Sequence, residues 1–292
     1  MSALVLGAAG LGVLTGGVYA LMASGLTLIF GVMRIINVGH GALVVLGAYL
    51  SFVLLRTWHV DPILGLAVTM PVMFGLGVAL EVVFIRPLRT DREALSVLVT
   101  YALALGIEGV LGAAFGADYQ QLSVWYESAS FQVGDFHVAW VYVLGFALSV
   151  AILGALAVLL YRTRFGAAVR ATMLNRAAAQ LVGIDVERVS AIAFGIGMAT
   201  AAAGGVVFGI TTAFNPGSHY DLISRLLTII VLGGLGSFRG AVVAAVLMLV
   251  IQDVTAVLIS PTWAAFTFFA LLVVTLIARP QGLYGLRVRE RA

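Results

Sequence analysis

Eight stretches of this chain stay apolar for long enough to cross a lipid bilayer: 4–31, 37–56, 62–84, 95–117, 139–161, 190–212, 240–259 and 262–278. A hydrocarbon core about 30 Å thick takes roughly 20 helical residues to span. A ninth apolar run, 222–236, is short and leads into "GGLGSFRG". The chain therefore reads as an all-α, polytopic membrane protein of about eight to nine spans, some of them interrupted, forming a single domain over 1–292. The amino-terminal "MSALVLGAAGLGVLTGGVYALM" has no positive leader region or clear cleavage site and is expected to be a retained first span.

Composition closes the alternatives. With 62% hydrophobic and 10% charged residues, too little polar surface exists to cover a soluble core. All 16 basic residues are Arg, and there is neither Lys nor Cys. A Walker-type nucleotide site needs its Lys, so ATP is not bound here. Thiol catalysis, disulfides and Cys-ligated metals are excluded as well. His40, His59, His137 and His219 are scattered, without zinc spacing. No nucleophile can be placed beside a base, and no carboxylates pair at hydrolytic spacing. No enzyme activity, cofactor or metal is expected.

Arginine also orients the spans. "RPLRTDRE" (86–93), "RTRFGAAVRATMLNRAAAQLVGIDVER" (162–188) and the tail with Arg279, Arg287, Arg289 and Arg291 should be cytoplasmic. The 118–138 loop has no Arg but has Asp118, Glu127 and Asp135, and it should face outward with "AFNPGSHYD" (213–221). Between 221 and 279 the chain must cross an odd number of times, which counts 222–236 as a short or half span. Arg56 is the exception, on the outer side. The net charge of +3 then reflects cytoplasmic loops rather than nucleic-acid binding. The outer loop's Tyr119, Trp125, Tyr126, Phe131 and Phe136, with a turn at Gly134–Asp135, form an interfacial aromatic belt or a docking surface.

Two Gly-rich breaks stand out. "GHGALVVLGAYL" (39–50) and "FRGAVVAAVLML" (238–249) are alike, and each follows one. Both should run from inside to outside. Interrupted segments in matching positions often border a transport pathway. Asn37, Gly39, His40 and Gly41 at the first break, and Gly233, Gly234 and Gly236 at the second, are the candidate pathway residues. Arg34 reads either as pathway lining or as an inner loop residue. Gly12/Gly16 and Gly205/Gly209 are small-xxx-small pairs expected to pack helices. Glu108 lies within a span, where it is either a functional group or a hydrogen-bonded strut between helices. Gln252 and Asp253 fall near an outer helix end, where solvation accounts for them.

Several pieces together resemble the branched-chain amino acid permeases of bacterial ABC importers, the LivH type. They are "GLTLIFGVMRIINVGHGALVVLGAYL" (25–50), "RPLR" (86–89), "TRFGAAVRA" (163–171), "AQLVGI" (179–184), "VLGGLGSFRGA" (231–241) and "ARPQGLYG" (278–285). The resemblance implies the ABC importer permease fold in the bacterial cytoplasmic (inner) membrane. It implies a second homologous permease, two cytoplasmic ATPase subunits that bind the ATP, and an external or periplasmic solute-binding protein. Leucine, isoleucine and valine are the implied cargo, with urea, short amides and other small amino acids or acids as alternatives in the family. An apolar channel with few polar groups suits an aliphatic side chain, and broken-helix dipoles its zwitterionic end.

Within that resemblance the Arg-rich stretch 162–188 reads as a coupling helix. Ala167–Val182 has helical composition and Gly183 a C-terminal stop. "AAAQLVG" (177–183) is a reduced version of the importer coupling pattern, with Ala177 where Glu is usual. Phe165, Gly166, Val169, Arg170, Met173, Ala177, Ala178 and Gly183 are the expected coupling residues. Val169 and Met173, on one face with Ala177 and Ile184, should contact the ATPase, with Arg170 and Arg176 at the rim. A basic helix lying on lipid headgroups is the competing reading. The rival class is a proton-coupled secondary transporter using Glu108.

Overall fold

The computed structural model describes residues 2–88, 91–126, 129–133 and 136–284. Arg89, Glu127, the Gly134–Asp135 turn, Arg287, Arg289 and Arg291 lie outside them. The helices are α1 (Ser2–Met33), α2 (His40–Trp58), α3 (Pro62–Leu80), α4 (Arg92–Phe115), α5 (Trp140–Arg162), α6 (Arg164–Leu174), α7 (Arg176–Leu181), α8 (Val186–Thr211), α9 (His219–Gly233), α10 (Phe238–Leu258) and α11 (Pro261–Ala278). Strands β1 (Ser130–Val133) and β2 (Phe136–Ala139) make one antiparallel hairpin. Among the described residues, eight helices are long and apolar enough to cross a membrane. Their starts are written locally. Asp61 before Pro62, Asp185, Ser237, and Ser260 before Pro261 each accept from a backbone N–H of the first turn.

At the centre stands α8, Ala- and Gly-rich and buried over most of its length. Against it pack α1, α2 and α3, and α10 lies along α1. Small residues permit this closeness. A Cβ at Gly12 would sit 2.6 Å from Val250 Cα, one at Gly16 2.8 Å from Val246 Cα, and one at Gly205 against the Val44 carbonyl. The two small-xxx-small pairs are thus packing positions; Gly209 likewise fits against Leu122 and Phe214.

The loops separate to two ends as the Arg pattern requires. At one end Arg86 approaches both Glu81 and Glu187, Arg34 donates to the Met173 carbonyl, and Arg239 lies over Tyr161. At the other, Gln120 pairs with Phe214, Gln121 donates to Ile210 O, and the Tyr126 hydroxyl donates to Asp61. Burial, with the Asp61 carboxylate beside it, pushes the Tyr126 hydroxyl well above the usual phenol range, so it remains a donor.

Both breaks are real. After Met33 the chain leaves the helix and climbs back alongside α1, because His40 at the start of α2 sits against the Met22 carbonyl. Met22 lies 11 residues before Met33, about 16 Å along the helix. Such non-helical backbone is tolerated at depth because protein surrounds it. The short run 222–236 becomes α9, which starts earlier, at His219, and forms an antiparallel hairpin with α10: Arg225 meets Gln252, and Gly233 meets Gly240. Its 15 residues span only about 22 Å. A buried helix needs no full apolar length, and the chain makes three passages between 218 and 279. The inner end of α9 is closed by the tail, where Leu283 and Tyr284 N–H donate to the Leu232 and Gly233 carbonyls at 2.8 and 3.0 Å.

The Arg-rich stretch departs from expectation. It is not one helix over Ala167–Val182 but two, α6 and α7, hinged at Asn175. Asn175 adopts extended φ/ψ and its side chain accepts from Ala178 N at 3.0 Å, starting a new helix rather than continuing the old one.

Candidate functional site

At the first break Asn37, Gly39, His40 and Gly41 are packed into the protein. Gly39 touches the Thr100 carbonyl, where a Cβ would come within 2.6 Å, and a Cβ at Gly41 would lie 2.5 Å from His219 O. Thr100 Oγ1 accepts from Val38 N at 3.1 Å, and the Asn37 carbonyl accepts from His40 N at 3.2 Å. At the second break Gly233 abuts Gly240, while Gly234 (φ 98°) and Gly236 (φ 80°) hold the left-handed turn between α9 and α10. Asn37, Gly39, His40, Gly41, Gly233, Gly234 and Gly236 are the residues expected to line the pathway. They are where backbones meet or reverse, and none of them borders the large cavity.

That cavity, about 680 Å³, opens at the Arg-poor end between α1, α5, α8, α9 and α10. Val18, Val207, Phe208 and Leu249 give it apolar walls. Thr15, Tyr19, Tyr142, Asp221, Arg225, Gln252 and Asp253 give it polar ones. Arg225 is the centre of that set. Its Nε donates to Asp221 Oδ2 at 2.7 Å, its Nη1 donates to Gln252 Oε1 at 2.5 Å, and its guanidinium lies 5.5 Å from the Phe268 ring centroid. The side chain is only 18% exposed. Gln252 and Asp253, expected to be merely solvated, instead form the wall facing this Arg, because α9 packs along α10 and brings Arg225 to them. Arg225 itself went unremarked in the sequence. Its signals are a lone Arg within the short apolar run 222–236 and the Asp221–Arg225 spacing of four.

Glu108 does not line the cavity but stands directly behind its wall, against Tyr220 and Gly217. It accepts from His219 Nε2 and the Tyr220 hydroxyl, each at 3.0 Å, and so ties α4 to the start of α9. Of its two readings, the geometry is that of the strut. Tyr119 borders the cavity and Trp125 is exposed, whereas Tyr126 is buried and Phe131 packs on Trp140.

At the Arg-rich end the coupling residues divide between two faces. Gly166 lies against the Leu159 and Leu160 carbonyls, Arg170 donates to the Leu160 carbonyl and stacks on Tyr161, and Phe165 is half-buried. Val169 is completely buried, and Met173 covers Gly31. These two were expected to face outward; they anchor α6 to the bundle, because the amphipathic face of a short helix is taken first by the chain's own core. The outward face carries Leu174, Leu181 and Val182, exposed by 78, 89 and 76%, together with Ala177, Ala178 and Gly183.

The family described as "Branched-chain amino acid transport system / permease component" matches residues 9–276. The high-affinity branched-chain amino acid transport permease LivH of Salmonella typhimurium is 27% identical over 94% of this chain and 93% of its own. BraD of Pseudomonas aeruginosa, of the same description, is 26% identical over 94% of each chain. A probable LivH from Methanocaldococcus jannaschii is 26% identical over 91% of this chain and 88% of its own. No solved structure matches the chain.

Proposed function

This chain belongs to the family of branched-chain amino acid transport permease components, and on that premise we propose that it forms one half of the membrane pathway of an ATP-driven importer. It works beside a second homologous permease in the bacterial inner membrane. An external solute-binding protein delivers leucine, isoleucine or valine to the Arg-poor end. Two cytoplasmic ATPases drive the switch between outward- and inward-facing states and bind all of the ATP. The chain has no enzymatic step of its own.

The observation that carries this reading is the pairing of two surfaces at opposite ends of one bundle. One end has an apolar cavity with a few charged groups, as suits a small aliphatic amino acid. The other presents α7 with bare Leu181 and Val182, an apolar knob left uncovered by the described residues. An energy source outside the chain must grip something, and this knob, joined through the Asn175 hinge to α6, which Val169 and Met173 anchor, is what a cleft can grip. A helix lying on headgroups would instead place its Arg residues at the membrane, but Arg170 is turned back onto Leu160 and Tyr161.

The test is reconstitution of this chain with its partner permease and ATPases in proteoliposomes, with the loaded binding protein outside. Uptake of labelled leucine should require ATP and all the subunits. Uptake driven by a proton gradient, with the ATPases absent, would replace the importer with the secondary-transporter reading.

A further inference from the structure

We propose that the outer cavity is a transit site for the zwitterionic head of an α-amino acid, with Arg225 taking the carboxylate and Asp253 the ammonium. The proposal rests on the importer reading above and names the substrate contacts within it.

The charges are placed in opposition. Of the five N–H donors of a guanidinium, Arg225 commits Nε to Asp221 and one Nη1 hydrogen to Gln252, which leaves the others to grip a carboxylate. Asp253 stands on the facing helix next to Gln252, hydrogen-bonded to Thr15 and Gln252 on the cavity wall. One cation, Arg225, and two anions, Asp221 and Asp253, therefore border the one cavity. The charged groups do not stand alone in α9, since its Leu226, Ile229 and Ile230 are fully buried. An ionisable side chain at membrane depth is costly and is kept when it has a partner or a task. Asp221 already forms the close ion pair with Arg225, at 2.7 Å, whereas the side chains hydrogen-bonded to Asp253, Thr15 and Gln252, are neutral.

The walls complete the recognition. Val18, Val207, Phe208 and Leu249 offer an aliphatic side chain an apolar surface beyond the charged pair. The cavity, about 680 Å³, holds the amino acid together with water. Loose fit suits a site of passage, which must release what it binds.

The chain contains no Cys, so one introduced thiol reports on occupancy without background from the chain itself. Ala213→Cys places it on the cavity rim, at an exposed position. In the assembled complex of both permeases and both ATPases, the rate of its alkylation by a charged maleimide is measured at rising concentrations of three compounds. L-Leucine has both charges, leucinamide only the ammonium, and 4-methylpentanoate only the carboxylate. Leucine should protect at millimolar concentration, and each half-charged analogue should need roughly tenfold more. Asp253→Asn should weaken leucine by about tenfold and leave 4-methylpentanoate unchanged, while Arg225→Gln should do the converse with leucinamide. Asp253→Glu and Arg225→Lys, which keep the charges, should retain most of the protection. Co-purification of the ATPases with every variant confirms assembly. Equal protection by leucine and leucinamide, indifferent to Arg225→Gln, would overturn the proposal in favour of a simple cation site. Absence of protection in a complex that still imports leucine would overturn it while leaving the importer reading intact. Protection with no ATP-driven uptake would uphold the site and overturn that reading instead.

Discussion

The two ends of the bundle use the same residue type in opposite ways. At the inner end Arg162, Arg164 and Arg188 are exposed, and Arg86 is shared between Glu81 and Glu187. Their number orients the chain, and no single one is indispensable. At the outer end one Arg, Arg225, is mostly enclosed and its neighbours are arranged around it. Apolar side chains are inverted in the same way. They wall the cavity outside, whereas inside Leu181 and Val182 stand in the open. What a side chain does is set by which end it occupies. On the reading proposed above, charge in the open sets orientation and an exposed apolar group offers contact area, while enclosed charge and enclosed apolar surface receive the ligand.

Exchanging these characters tests the contrast most severely. Leu181→Glu puts a carboxylate on the inner knob. Burying a Leu side chain is worth about 1.5–3 kcal/mol, and burying an unpaired carboxylate in its place costs several more. The ATPases should be lost from the purified complex, with the permease still in the membrane. Leu181→Met should behave as wild type. Retention of both ATPases by the Glu variant would show that the knob is not the gripped surface.

The complementary exchange, Arg225→Leu, removes the outer charge. It strands Gln252 and Asp221, and with Asp221 largely solvated the loss is about 1–3 kcal/mol. Leucine uptake should fall roughly tenfold with the ATPases still bound, each tenfold corresponding to about 1.4 kcal/mol. Arg164→Leu at the inner end should change uptake less than about twofold, as exposed charges contribute only about 0–1 kcal/mol. Equal losses in the two variants would erase the distinction between the ends.

A smaller effect is expected at the hinge between α6 and α7. Asn175→Ala removes the N-cap of α7, worth about 1 kcal/mol. Binding-protein-stimulated ATP hydrolysis should drop by about fivefold, with Asn175→Asp near wild type because it still caps. Unchanged hydrolysis in the Ala variant would mean that α7 is held by the partner rather than by its own cap.

These expectations separate what the sequence displays from what only packing decides. Span number, the two breaks and the separation of the loops to two ends were legible, because length of apolar run and placement of Arg are one-dimensional signals. The capping side chains Asp61, Asp185, Ser237 and Ser260 were legible in principle too, each standing just before a helix. The faces of α6 and α7 were not. Val169 and Met173 mark an apolar face, but periodicity does not say whether the chain's own core or a partner covers it. The glycines carry a related ambiguity. Gly39 and Gly233 mark places of close approach, and the chain's own Thr100 and Gly240 are what approach them. A bulky substitution there would fail through packing alone. Arg225 was hidden because it pairs with Asp221 along the sequence but gains its meaning from Gln252, 27 residues away.

Glu108 gives the smallest expected effect and the sharpest test of class. It sits between the two ends' logics: an acidic side chain in a span, yet one that accepts two hydrogen bonds, from His219 Nε2 and the Tyr220 hydroxyl. Gln at this position keeps a carbonyl oxygen for one of those donors and loses the charge that strengthens both. The site is partly open to solvent, with the Glu108 side chain 30% exposed, so the loss should be only about 1 kcal/mol. An ATP-driven importer carries no proton through this group. Uptake by Glu108→Gln should therefore stay within about twofold of wild type, with a slightly lower thermal midpoint as α4 loosens from α9. A proton-coupled carrier would behave otherwise, because a Gln cannot bind and release a proton. Uptake that collapses in this variant, while the ATPases remain attached and hydrolyse ATP when the loaded binding protein docks, would move the proton back to the centre of the mechanism.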